Sequence, residues 1–171
     1  MKIPNISLNK YGYEGTIELQ AWDEFLSDLN GVYDLDISCN MGEDDQIITQ
    51  EQIAAYNYVI ENQNNIRDSI ITGLMKAYPE MQSEYDFDED EAEELMPDIR
   101  DREDFKKLIG LYRVHILNVF KNGIAYTGYE FDCSWEEEHG LGVMMYQDKI
   151  VEIGGVDASF LAWIAEADAG K

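Results

Sequence analysis

Residues 129–155 constrain the fold more than any other stretch, because they read as three consecutive strands joined by two turns. On the first of these strands, four side chains at alternate positions would share one buried face: Tyr129, Phe131, Cys133 and Trp135. The glutamates at 136–138, with His139 and Gly140, would form an exposed connection to the second strand, since adjacent like charges require solvent. The pattern therefore predicts a β-meander that leads into the C-terminal end of the chain.

Further strands are predicted elsewhere in the chain. Alternation or continuous apolar sequence marks candidate strands at residues 16–22, 32–39, 108–120 and 124–132, and the last of these runs into the first strand of the meander. Asn122-Gly123 lies between the last two and is typical of a tight hairpin turn. Residues 1–14 are polar and contain Pro4 and Gly12, so we expect an irregular lead-in.

One long helix is predicted over residues 49–78. Thr49 can cap its N-terminus and Gln52, three residues later, completes a capping box. Apolar residues then recur at helical spacing, although the Asn- and Gln-rich residues 62–65 can kink or split the helix. Pro79 is expected to end it, because the residue before a proline disfavours helical backbone.

The chain shows no internal repeat and no Ser- or Pro-rich linker, so one domain is expected for residues 1–171. Asp157 is placed to cap a short C-terminal helix in which Phe160, Leu161 and Ile164 are buried. We therefore predict an α+β fold: an antiparallel sheet of about five to six strands, with one long helix (about 49–78) packed on it and a short C-terminal helix.

The charge of the chain restricts its partners. With 36 acidic and 12 basic residues, the formal net charge is −24. Such a charge repels nucleic-acid phosphates and anionic lipid surfaces, and it attracts basic proteins at long range. We therefore expect no nucleic-acid and no membrane partner, and we predict a basic protein as the partner. A solvated acidic surface without a specific partner is the alternative.

Residues 83–104 form an acidic connector that carries twelve carboxylates. Three aspartates at alternate positions, beginning at Asp86, match the start of a calcium-binding loop. The pattern then requires Gly at its sixth position and Glu at its twelfth, where this chain has Glu91 and Pro97. We therefore predict an exposed connector rather than a calcium site, partly helical over residues 89–96.

Cys39 and Cys133 are the two cysteines, and both lie in apolar, strand-like contexts. Buried free thiols are expected, because one possible pair does not make a disulfide framework. The first fifteen residues contain no apolar segment of the signal-peptide type, and no window is long and apolar enough to span a membrane. These features predict a cytoplasmic protein.

A metal or nucleophilic site would have to use the few residues of suitable chemistry. Cys133, Glu138, His139 and His115 are ligand types that zinc accepts, but their spacing matches no zinc motif. A Cys–His nucleophile pair would need Cys133 beside a histidine, whereas its alternation places it in the core. We therefore predict no cofactor, no metal and no catalytic residue. A possible functional surface remains, formed by Glu136, Glu137, Glu138 and His139, with His115 as a possible neighbour.

The same stretch carries a resemblance to a known family. The pattern F-x-C-x-W-x-x-E-H-G-L-G-V begins at Phe131, V-E-I-G-G-x-D begins at Val151, and F-L-x-W-I-A-E begins at Phe160. Together with shorter pieces at residues 95–99 and 108–116, these motifs resemble a widespread family of small acidic bacterial proteins of unknown function. The family often has Asp in place of Glu136, and His at or beside the position of Tyr146, so this chain lacks one histidine of the family pattern. The resemblance implies an immunity or accessory role beside a toxin, by analogy alone.

Three functions follow as hypotheses. The first is a protein-binding domain, immunity-like or accessory, that engages a basic partner. The second is a metal- or thiol-dependent enzyme that uses the region of Cys133, Glu138 and His139. The third is a structural interaction domain without a small-molecule site.

Overall fold

The computed structural model describes residues 3–26, 30–39 and 47–170. Within these residues, seven strands form one sheet whose spatial order follows the order of the chain. The strands are β1 (Ile6–Asn9), β2 (Gly12–Glu18), β3 (Val32–Ser38), β4 (Ile109–Lys121), β5 (Ile124–Cys133), β6 (Glu136–Tyr146) and β7 (Lys149–Gly154). Neighbouring strands are antiparallel except β3 and β4, which are parallel.

Helices cover much of both faces of this sheet. The α-helices of the described residues are α1 (Gln50–Glu61), α2 (Gln63–Ser83), α3 (Glu89–Leu95) and α4 (Ala162–Ala169). Short 3-10 helices occur at Gln20–Trp22, Arg102–Lys107 and Val156–Ser159. None of these helices combines the length and the apolar character that crossing a membrane requires.

The parallel β3–β4 pair is joined by the crossover that parallel strands require, and α1, α2 and α3 form it. Ile66, Ile70 and Leu74 of α2 are almost fully buried and belong to the main core. Val114 and Ile116 of β4 belong to the same core from the sheet side. Burial of these apolar surfaces is the main stabilising contribution to the domain.

The opposite face of the sheet is covered by the C-terminal segment, residues 156–169. Ile164 and Ala165 of α4 pack with Leu117 of β4 and Met144 of β6 in a second, smaller core. This segment contacts β4 to β7. The corresponding face of β2 and β3 therefore stays at least partly exposed, and it carries four polar side chains: Glu14, Thr16, Asp34 and Asp36.

The predicted α+β class, the single sheet and the short C-terminal helix are confirmed. The number of strands was underestimated, because the predicted irregular lead-in forms β1 and the start of β2. Asn9 closes this hairpin, since its side-chain oxygen accepts hydrogen bonds from the backbone N–H groups of Tyr11 and Gly12. The predicted strand over 16–22 ends at Glu18, and the chain continues into the 3-10 helix Gln20–Trp22.

The single long helix over about 49–78 is also corrected. The predicted capping box of Thr49 and Gln52 is present, but Asn62 separates α1 from α2. α2 then continues through Pro79 to Ser83. The buried Tyr78 keeps this turn helical, because its hydroxyl donates a hydrogen bond to the Pro97 carbonyl at 2.7 Å and tertiary contacts outweigh the local preference.

Two predictions at the C-terminal end are wrong. Residues 136–139 belong to β6 rather than to a connecting loop, because the turn is only two residues long and Glu136 pairs with Cys133. α4 begins after Leu161 and has no side-chain cap. Asp157 lies instead in the preceding 3-10 helix, Val156–Ser159.

Candidate functional site

The acidic residues that follow α2 are held in a defined conformation. Asp88 caps α3, since its side chain accepts from the backbone N–H of Glu91 at 2.8 Å, and the Glu91 side chain accepts from the Asp88 backbone N–H. No residue of α3 is buried, whereas Met96, directly after it, is only 2% exposed. The helix predicted over 89–96 is therefore present over Glu89–Leu95, with its carboxylates in solvent.

Hydrogen bonds fasten the C-terminal end of α3 to the rest of the fold. Gln82 of α2 donates to the Met96 carbonyl at 3.0 Å and to Asp98 at 3.2 Å. Ser134, in the turn between β5 and β6, donates to the Leu95 carbonyl at 2.7 Å. These contacts fix the position of α3 without burying it.

A second contact joins the segment to the first residues of β6. Tyr85 donates a hydrogen bond to Glu136 at 3.2 Å, and His139 Nδ1 lies 3.2 Å from the other oxygen of the same carboxylate. Burial, reinforced by the charge of Glu136, raises the pKa of Tyr85 to about 12. The phenol therefore remains a hydrogen-bond donor at neutral pH, and two acidic stretches that are distant in sequence become one surface.

We call this the acidic end surface: the last turn of α2, residues 84–98, and residues 136–139. Its exposed carboxylates are Glu80, Glu84, Asp86, Asp88, Glu89, Asp90, Glu91, Glu93, Glu94, Asp98, Glu137 and Glu138. The sequence has no lysine or arginine between Lys76 and Arg100. Among the described ion pairs, none includes a carboxylate from that list. The surface therefore carries a dense negative charge that the protein itself does not neutralise.

His115 lies elsewhere, in a network of polar side chains on the face of the sheet that the C-terminal segment partly covers. The register of β3, β4 and β5 brings Asp34, Asp36 and Glu130 beside Arg113 and His115. Arg113 Nη2 lies 3.3 Å from Asp34 and Arg113 Nε 3.4 Å from Asp36, while His115 Nε2 lies 3.0 Å from Glu130. His115 itself is only 8% exposed. The network joins β3, β4 and β5 at the border of the area that the C-terminal segment covers.

The network makes stability depend on pH through Asp36. Burial raises the pKa of Asp36; Arg113 and His115 oppose this, whereas Asp34 and Glu130 reinforce it. A raised folded-state pKa contributes stability that is present below the unfolded-state pKa and is lost as the pH rises through the folded-state pKa. Asp36→Asn is therefore expected to increase the free energy of unfolding at neutral pH, with a smaller effect near pH ~3. Urea unfolding at both pH values measures this, and a destabilised variant at neutral pH would contradict it.

Cys133 is a buried thiol, and it lies far from His115. Its side chain is buried in the main core, its thiol points to the Glu136 carbonyl at 3.7 Å, and burial raises its pKa to about 12. It therefore stays a thiol at neutral pH and is a poor nucleophile. His115 pairs with Gly128, five residues earlier on β5, which corresponds to about 16 Å along the strand. In residues 3–26, 30–39 and 47–170, no three His, Cys, Asp or Glu side chains are arranged to hold a metal ion.

Sequence reasoning singled out residues 136–139 and the segment 83–104, and the structure places them side by side. The structure does not place His115 near them. The sequence did not indicate Tyr85, which links the two stretches, or the partners of His115. A signal for those partners was present, because Asp34 and Asp36 alternate with apolar residues on β3, but their pairing with β4 depends on a non-local parallel register.

Comparison with known proteins identifies a family but no activity. A family model described as a domain of unknown function (DUF6985) matches residues 13–161. The match begins within β2 and ends just before α4, so it includes the acidic end surface and the network around His115. No curated protein and no solved structure matches the chain.

Proposed function

This chain belongs to the DUF6985 family, whose function is unknown, and we propose that it is a protein-binding domain that engages a basic partner through the acidic end surface. The observation that carries the proposal is the hydrogen bond from Tyr85 to Glu136, which unites two separate acidic stretches. Many exposed carboxylates then lie on one fixed surface without a lysine or arginine among them.

The physical argument concerns both the rate and the energy of association. A surface of one charge sign raises the association rate of an oppositely charged partner and repels wrong partners. Because α3 is capped at its N-terminus and anchored at its C-terminal end, little conformational entropy is lost when a partner binds it. Except for Asp88, Glu91 and Asp98, which accept hydrogen bonds within the protein, the exposed carboxylates can form ion pairs without losing a described internal partner.

The biological role that we propose is immunity-like or accessory, in a bacterial cytoplasm. Its support is the resemblance of the motifs at 131–143 and 151–157 to small acidic bacterial proteins. The enzyme alternative has weaker support, because the buried Cys133 carries a raised pKa and residues 136–139 contain a single histidine. A purely structural interaction domain would not require the concentration of charge at one end.

The proposal is tested by titrating the protein into a fluorescein-labelled peptide of alternating arginine and glycine. We expect binding that weakens about tenfold or more as NaCl is raised from about 50 to 200 mM, because salt screens exposed charges. The same peptide with glutamate in place of arginine is the control and should not bind. Absence of binding to the arginine peptide at about 50 mM salt would contradict the proposal.

A further inference from the structure

A cavity of about 330 Å³ opens within the acidic end surface, between the last turns of α2 and the strands β6 and β7. Its lining combines apolar side chains inside with carboxylates at the mouth. We propose that this cavity holds one lysine or arginine side chain of the basic partner. The inference rests on the proposed function and adds a specific anchoring site to it.

The inner wall suits the aliphatic stem of such a side chain. Trp135 is only 5% exposed and faces the cavity, together with Met81 of α2 and Ile153 of β7. Lysine and arginine bury their methylene groups against apolar surface while the charged end remains near polar groups. The indole ring also attracts a cation that lies over its face.

The mouth of the cavity suits the charged end. Glu80 and Glu84 line it, and no lysine, arginine or histidine is part of the lining. α2 ends at Ser83, so its C-terminal carbonyl groups add partial negative charge at the same place. Carboxylates at a helix C-terminus are electrostatically unfavourable, and a basic side chain is absent from the last turn of α2. A bound cation would remove this unfavourable arrangement.

Other occupants fit less well. An anion would be repelled by Glu80 and Glu84, and an apolar side chain would remove water from these carboxylates without replacing it. The cavity of about 330 Å³ offers far more room than one water molecule needs, so a long side chain can enter it. Charge complementarity and the apolar wall therefore both point to the same residue types.

The test uses single amino acids, so it does not depend on a protein partner. The indole N–H signal of Trp135 is followed by NMR during titration with N-acetyl-lysine methylamide and N-acetyl-arginine methylamide. N-acetyl-norleucine methylamide, which keeps an aliphatic chain and lacks the charge, is the matched control. Trp163, which is 61% exposed and lies on α4, reports non-specific binding.

We expect a saturable shift of the Trp135 signal with the two cationic compounds and none with the norleucine compound. Ala77→Leu fills the cavity from α2 with a good helix former and should abolish the shift. Glu84→Gln should weaken the affinity about two- to fivefold, as expected for one exposed ion pair. An absent shift, or an equal shift with norleucine, would overturn the inference. Binding of the arginine–glycine peptide is measured separately. An absent Trp135 shift with intact peptide binding would overturn the cavity inference alone, whereas an absence of peptide binding would overturn the proposed function.

Discussion

Replacement of Gly128 by alanine is expected to lower the free energy of unfolding by about 3 kcal/mol or more. Gly128 lies in the middle of β5, and an added Cβ would overlap the backbone carbonyl of Ser159. Ser159 is fully buried and belongs to the segment that covers this face of the sheet. The methyl group would therefore separate two packed backbones, and backbone cannot rotate aside as a flexible side chain can.

Urea unfolding of the two proteins measures this difference. Gly154→Ala is the matched control, because a Cβ at that position would make an ordinary contact with Ala158 and β7 would keep its pairing. We expect the control to change stability by less than about 1 kcal/mol. Equal stabilities of the wild type and Gly128→Ala would show that the C-terminal segment does not pack on β5 as described.

Much of the sheet was predictable because its signals are local. The Asn122-Gly123 turn has positive φ at both residues, 52° and 82°, as the hairpin interpretation of these residues requires. Thr49 and Gln52 form the predicted capping box. The strand over 108–120 was recognised, but its pattern did not show that Arg113 and His115 face partners on β3 and β5.

The remaining features depend on contacts that sequence patterns do not contain. The β1–β2 hairpin is closed by a side-chain turn at Asn9. α2 continues through Pro79, because Tyr78 is held by a hydrogen bond to Pro97 and an edge contact with Trp135. The acidic end surface was visible as two separate stretches, and only the contact of Tyr85 with Glu136 makes them one.

The largest functional effect is expected from neutralising carboxylates of the acidic end surface. The variant Glu84→Gln, Glu94→Gln, Glu137→Gln removes three exposed charges, two from residues 84–98 and one from residues 136–139. An exposed ion pair contributes about 0.5 kcal/mol, so the loss of three such pairs should lower the affinity for a basic partner about tenfold. Glutamine keeps the shape and the helix propensity of glutamate, so the fold should be unaffected.

A charge-matched control separates a specific surface from the general attraction of an acidic protein. The variant Glu14→Gln, Glu61→Gln, Glu166→Gln also removes three exposed charges, from β2, α1 and α4. Both variants therefore raise the net charge of −24 by the same amount. The control should lose less than about threefold in affinity, because distant charges are screened by salt.

The affinity of these two variants for the fluorescein-labelled arginine–glycine peptide, measured at about 150 mM salt, tests the central claim most directly. A loss confined to the Glu84, Glu94 and Glu137 variant is the result that we predict. Equal losses in both variants would contradict the claim, because they would show that the peptide responds to the net charge of the domain and not to the acidic end surface.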